Sequence, residues 1–144
     1  MAHYADTSFL VSYYGQDANS AAALAALSAS PVSLPFTALH QLELRNAFEL
    51  AVQRGVLNAG AVRLVWGVVL GDVRGRRLLR PPVDWPTVWR RAARLSIRHT
   101  QRLATRSLDI LHVALAQTLG TREFFSFDQR QRPLAAAEGM IVLP

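Results

Sequence analysis

Ser107-Leu108-Asp109-Ile110-Leu111-His112-Val113-Ala114-Leu115-Ala116-Gln117-Thr118-Leu119-Gly120, followed shortly by Glu123-Phe124-Phe125-Ser126-Phe127-Asp128, is the stretch that decides the fold. Ser107 to Leu119 reads as a helix closed by Gly120, the residue type that most easily takes the left-handed stop conformation. Glu123 to Phe127 reads as an aromatic-rich strand, Asp128 to Ala137 as another helix and Met140 to Leu143 as a final strand. The same alternation runs outward to the N-terminus. His3 to Ala5 is a short strand, followed by helices from about Thr7 to Tyr14 and over Ala18 to Ser28. Ser30-Pro31 breaks the latter, and Pro31 to Leu34 reads as a brief strand bounded by Pro35. Thr37 to Arg54 is the clearest helix, ended by Gly55, with Leu39, Leu42, Ala47, Leu50 and Ala51 marking its inward side. Asn58 to Val73 is a further long helix with Val62, Val65, Val69 and Leu70 inward. Arg77 to Val83 suits an edge strand, because Pro81-Pro82 cannot donate to a ladder. Asp84 suits an N-cap, with Pro86 in the first turn of a helix reaching about His99. Strands regularly separated by helices imply a parallel sheet covered on both faces. The expectation is one α/β domain over residues 1–144, built on a central, mostly parallel sheet of four to five short strands.

A chain of 144 residues can bury a core without disulfides, and 51% hydrophobic with 18% charged residues is a globular balance. The absence of cysteine excludes disulfides, thiolate metal sites and a cysteine nucleophile. No apolar run approaches the roughly 20 residues of a membrane span, and Met1-Ala2-His3-Tyr4 lacks the basic start of a signal peptide. A soluble, cytoplasmic protein is expected. All sixteen basic residues are arginine, and ten of them fall between Arg74 and Arg106, where Asp84 is the only acid. A GC-rich genome accounts for missing lysines but not for this clustering. Such a field attracts phosphates or an acidic partner, and arginine's fork suits phosphate oxygens.

The ten acids are few enough for placement to matter. Asp6 directly follows the first strand and Asp128 a later one, so both would be delivered to the carboxyl edge of a parallel sheet, where ligands bind. Glu43 and Asp109 lie inside otherwise apolar helical stretches. Three of the four also have a plainer reading. Asp6 and Asp128 suit helix N-caps worth about 1 kcal/mol, and Asp109 suits a buried pair with Arg106. Taken together, the four acids support a different argument. Two like charges about 4 Å apart repel by about 4 kcal/mol at an effective dielectric near 20. A cluster then needs shared protons or a divalent cation. With oxygen donors and no thiols, that cation would be magnesium (Mg2+) or manganese (Mn2+). Such ions activate water and steady a phosphoryl group during in-line displacement.

These residues also carry a likeness. Tyr4-Ala5-Asp6-Thr7-Ser8-Phe9-Leu10-Val11, Leu42-Glu43-Leu44-Arg45-Asn46-Ala47, Arg106-Ser107-Leu108-Asp109-Ile110-Leu111-His112-Val113-Ala114-Leu115-Ala116 and Phe125-Ser126-Phe127-Asp128-Gln129-Arg130-Gln131 are similar, in order and spacing, to the four motifs of PIN-domain nucleases. The chain resembles in particular the VapC-like toxin ribonucleases of type II toxin–antitoxin pairs. The resemblance implies a PIN-like three-layer fold, cleavage of single-stranded or structured RNA dependent on Mg2+ or Mn2+, frequent homodimerisation and inhibition by a cognate antitoxin. It also implies roles. Asp6, Glu43, Asp109 and Asp128 would be the catalytic, metal-holding acids. Thr7 and Ser126 would hydrogen-bond metal-bound water or a neighbouring carboxylate, and Asn46 would steady Glu43. Gln129-Arg130-Gln131 receives no chemical role.

Arg90, Arg94, Arg98, Arg102 and Arg106 recur every four residues and form a slowly drifting basic stripe on a continuous helix. The stripe reads as a solvated face, as an RNA track centred on Arg98, Arg102 and Arg106, or as a dock for an acidic antitoxin segment. His40 and His112 lie beside Glu43 and Asp109, but an all-carboxylate site needs neither, which favours structural roles. Trp66, Trp85 and Trp89 read as core or dimer-interface residues ahead of base-stacking platforms, and the apolar helix Asn58 to Val73 as a subunit contact. The rival to a nuclease is a non-catalytic RNA- or protein-binding module of the same fold. An aspartate-nucleophile phosphatase is set aside, because position 8 is serine and there is no lysine.

Overall fold

The computed structural model describes residues 1–29 and 32–144, so the break and strand start expected at Ser30 and Pro31 lie outside the described residues. In chain order the elements are β1 (His3–Ala5), α1 (Thr7–Tyr14), α2 (Ser20–Ala29), β2 (Leu34–Pro35), α3 (Ala38–Gln53), α4 (Ala59–Arg74), β3 (Leu78–Leu79), α5 (Trp85–Leu103), α6 (Ser107–Thr118), β4 (Glu123–Phe125), α7 (Gln131–Ala137) and β5 (Ile141–Leu143). Every described strand pair is parallel, which makes this the α/β fold expected from the helix–strand alternation. Contacts divide the chain into Met1–Asp6 with Pro82–Pro144, and Thr7–Pro81.

The first unit holds the sheet β1-β4-β5. Its registers pair Ala5 with Phe125 and Phe125 with Leu143. The aromatic strands pack within the sheet, with the rings of Tyr4 and Phe124 stacked 5.3 Å apart and both side chains fully buried. Helix α6 is buried from Asp109 through Ala116, as an almost uniformly apolar helix must be. Helix α5 starts where Asp84 accepts from Thr87 N–H (3.1 Å) and from its hydroxyl (2.6 Å), with Pro86 in the first turn. These bonds hold the Asp84 carboxyl below its usual pKa. Val88, Ala92, Leu95 and His99 form its inward row. The helix continues past His99 to Leu103, since no breaker intervenes, and stops at Ala104 in the left-handed region (φ 51°).

His99 is buried because it has a partner. Its Nε2 lies 2.6 Å from Glu138 Oε1, while Gln117 Nε2 donates to Glu138 Oε2 at 2.7 Å and Arg98 reaches Oε1 at 3.2 Å. Burial pushes the Glu138 carboxyl up, but the bonds from His99, Gln117 and Arg98 outweigh it and hold the group below the usual carboxylate range. Two boundaries differ from expectation. Strand β4 ends at Phe125, and α7 begins at Gln131, because Asp128 to Arg130 form the turn that leads into it.

In the second unit β2 pairs with β3, Leu34 with Leu78 and Pro35 with Leu79. The Pro81-Pro82 pair cuts β3 well short of Val83. Helix α3 buries His40, Leu44 and Phe48, whereas Leu42 and Leu50 are 69% and 41% exposed. The expected inward side is therefore rotated. His40 Nδ1 accepts from Thr37 N–H (3.1 Å) and bonds the Thr37 hydroxyl (2.9 Å), which anchors the ring inward at the helix start. Helix α4 is capped by Asn58, whose side chain accepts from Ala61 N–H at 2.8 Å. It buries Val62 and Val69, but leaves Leu64 and Val68 exposed. Tyr14 on α1 donates to Asp72 on α4 at 2.7 Å; burial and that carboxylate raise the phenol pKa. Among the described residues, no helix is long and apolar enough to cross a membrane.

Candidate functional site

Parallel pairing explains how two loop residues of the first unit meet. Ala5 and Phe125 are register partners, so the next residues, Asp6 and Ser126, emerge side by side at the carboxyl ends of β1 and β4. Asp6 N–H donates to Phe125 O at 3.0 Å, and Ser126 N–H to Leu143 O at 2.9 Å. The Ser126 hydroxyl donates a short hydrogen bond to Asp6 Oδ2, and both residues are fully buried. The same hydroxyl accepts from Asp128 N–H at 3.0 Å, so one serine ties Asp6 to the turn carrying Asp128. Ser126 thus takes a positioning role on Asp6.

Asp128 is half-buried, and its Oδ1 accepts from Arg130 N–H (2.7 Å) and Gln131 N–H (3.0 Å). This is capping, the plainer of its two readings, and it gives the Arg130-Gln131 segment a place: those amides orient the carboxylate. Arg132 adds a bond to Ser126 O at 2.7 Å.

Asp109 sits in the first turn of α6, 6% exposed. Its Oδ2 accepts from the backbone N–H of Arg106 at 2.9 Å; the bond comes from the amide and not from the guanidinium. Burial raises the Asp109 pKa and the nearby charge of Asp128 raises it further, against the Arg106 amide bond and the charges of Arg106 and Arg130. Asp109 and Asp128 therefore lie close enough to repel. His112, on the same helix, is fully buried with Nδ1 at 2.6 Å from Tyr4 OH. That contact supports the structural reading.

In the second unit Glu43 is half-buried on α3, and the Thr7 hydroxyl donates to its Oε1 at 3.1 Å. Asn46 is exposed on the same helix. This unit also contains a hollow of about 450 Å³ lined by Leu10, Tyr14, Leu24, Leu34, Asp72 and Arg77 among others. The hollow holds none of the four acids, so the site follows from chemistry and not from concavity.

Oxygen donors and a mutually repelling carboxylate pair suit a hard divalent cation, which relieves both burial and repulsion. Among the described residues, however, no group of three or more His, Asp or Glu side chains is gathered so as to hold an ion. The arginines of the expected RNA track differ in availability. Arg98 pairs with Glu138, Arg102 Nη2 lies 3.4 Å from His99 Nδ1, and Arg106 is exposed at the start of α6.

No protein-family model and no curated protein sequence matches the chain. Solved structures do. Mycobacterium tuberculosis VapC20, described as a sarcin-ricin-loop-cleaving toxin, superposes with a TM-score of 0.71 at 19% identity, over 99% of this chain and 100% of that one. FitAcB from Neisseria gonorrhoeae gives 0.69 at 16% identity, over 99% and 96%. VapBC-1 from nontypeable Haemophilus influenzae gives 0.60 at 11% identity, over 99% and 96%. The four motifs and these superpositions agree: the chain has the PIN-like α/β fold of the VapC-type structures.

Proposed function

We propose that the chain is a metal-dependent endoribonuclease, the toxin of a toxin–antitoxin pair. The observation that carries the reading is the carboxyl edge of β1 and β4, where Ser126 ties buried Asp6 to the Asp128 turn. Asp6, Asp109 and Asp128, with Glu43 as the motif resemblance implies, would hold Mg2+ or Mn2+. When bound, the ion supplies an activated water and charge stabilisation at the scissile phosphate. The chain's own residues do the rest. The Ser126 hydroxyl fixes the orientation of Asp6, the Arg130 and Gln131 amides fix Asp128, and the Arg106 amide fixes Asp109. Such fixed second contacts keep ligand geometry constant through a reaction. Thr7 does the same for Glu43. A cognate antitoxin and a homodimer complete the proposal; exposed Leu64 and Val68 on α4 are suited to a subunit contact.

The rival reading, a binding module whose acids only cap helices, is favoured by two observations: Asp109 and Asp128 both hold backbone amides, and no three-donor group is gathered among the described residues. Cleavage of labelled single-stranded RNA separates the two. The proposal expects cutting in Mg2+ or Mn2+, none with chelator, and Asp6→Asn and Asp109→Asn variants that still bind RNA without cutting it. Wild-type protein that binds RNA and never cuts it, whatever the cation, decides for the module.

A further inference from the structure

We infer that the outward side of α5 grips the phosphodiester backbone of the RNA through Arg90 and Arg94, together with Arg106 at the start of α6. The inference rests on the ribonuclease reading and names how that substrate is held.

Helix α5 carries five arginines and no acid between Trp85 and Leu103. Its inward row is Val88, Ala92, Leu95 and His99. At about 100° per residue, Arg90 and Arg94 project roughly opposite that row, while Arg98 and Arg102 have drifted toward its flank. The structure agrees with the geometry. Arg98 forms an ion pair with Glu138 and Arg102 Nη2 lies 3.4 Å from His99 Nδ1, whereas exposed Arg90 and Arg94 form no close ion pair among the described residues. The Arg90 guanidinium donates to the Thr87 hydroxyl at 2.6 Å and acts on the Asp84 carboxylate beyond it only at longer range. Of the five-arginine stripe expected from sequence, Arg98 bonds a carboxylate, while Arg90 and Arg94 face away from the buried row; they are not the Arg98 and Arg102 positions on which the RNA track was expected to centre.

Three features favour a polynucleotide backbone. Arginine's fork matches phosphate oxygens. Successive arginines are about 6 Å apart along the axis, a step comparable with that between neighbouring phosphates on an extended strand. Arg106, in the same unit, precedes the α6 turn holding Asp109 and is exposed. Trp89, 58% exposed beside the row, offers a ring on which a base can stack.

The test uses the full chain carrying Asp109→Asn, so that bound RNA stays intact, and a fluorescein-labelled single-stranded RNA followed by anisotropy over a KCl series. Arg90→Ala with Arg94→Ala is compared with Arg54→Ala and Arg63→Ala, which remove the same charge from exposed positions of the other unit. Two lost phosphate contacts predict a salt slope shallower by about 1.4 and affinity roughly tenfold lower at physiological salt. The control pair should leave the slope unchanged, and Arg90→Lys with Arg94→Lys should largely restore it. Equal effects of the two alanine pairs, or an unchanged slope, overturn the inference. So does loss of poly-glutamate binding with RNA binding intact, which would assign the face to an acidic protein segment. Cleavage by the chain with native Asp109 is read separately. RNA held through α5 but never cut removes the ribonuclease reading alone, and cutting with unaltered binding removes the grip alone.

Discussion

Replacing Glu138 by glutamine probes the buried ion network of the first unit with little change of shape. The native side chain is 10% exposed and takes hydrogen bonds from His99 at 2.6 Å, Gln117 at 2.7 Å and Arg98 at 3.2 Å. The Arg98 side chain is 66% exposed, so solvent screens its share to about 0.5 kcal/mol or less. The bonds from His99 and Gln117 reach a charged, nearly buried acceptor and are each worth about 1.5–3 kcal/mol. Glutamine keeps one acceptor oxygen and presents its amide N–H to the other partner, so both charge-assisted bonds weaken to neutral ones and His99 must change tautomer to accept. The expected loss is about 2–3 kcal/mol at neutral pH. The folded Glu138 pKa lies below its ordinary value of 4.5, so its contribution is fully present above that value and fades as pH falls through the folded value. Urea unfolding at a series of pH values should show the wild type ahead by that margin near neutrality, with the gap closing in acid. A neutral-pH gap within the scatter of surface substitutions, about 0.5 kcal/mol, or a gap that persists unchanged into acid, would refute the reasoning.

Ser126→Ala removes the hydroxyl that bonds Asp6 and receives the Asp128 amide. It should cost about 1–3 kcal/mol and slow RNA cleavage roughly 10–100-fold with RNA binding unchanged, read by single-turnover cleavage and anisotropy. Tyr4→Phe deletes the phenol partner of buried His112; a stability loss of about 1–2 kcal/mol with cleavage unchanged is expected in denaturant titration and cleavage assays, and the converse would give His112 a part in the chemistry. Leu64→Glu with Val68→Glu charges the exposed α4 face and should yield a monomer in light scattering after size exclusion.

The strands bearing Asp6 and Asp128 were legible because short aromatic or apolar runs end at an acid that a helix follows. Register was not. Only the pairing of Ala5 with Phe125 shows that Ser126 lands on Asp6, and no local pattern encodes that pairing. The inward side of α3 was misjudged because counting leucines ignores a histidine drawn inside by its bonds to Thr37. Helix α5 outran its expected end because its stop is Ala104 in a left-handed conformation, which alanine does not advertise. The His99–Glu138 pair joins residues 39 positions apart and has no periodic signal. Arg130 and Gln131 were silent in sequence because they act on Asp128 through backbone amides, which every residue type except proline possesses.

Titration of Mn2+ into nucleic-acid-free protein, followed by the electron paramagnetic resonance signal of the free ion, addresses the carboxylate edge most directly. The account predicts saturable loss of signal with the wild type and little or none with Asp6→Asn or Asp109→Asn. A wild-type chain that leaves the signal at its buffer level, or variants that bind as the wild type does, would contradict it.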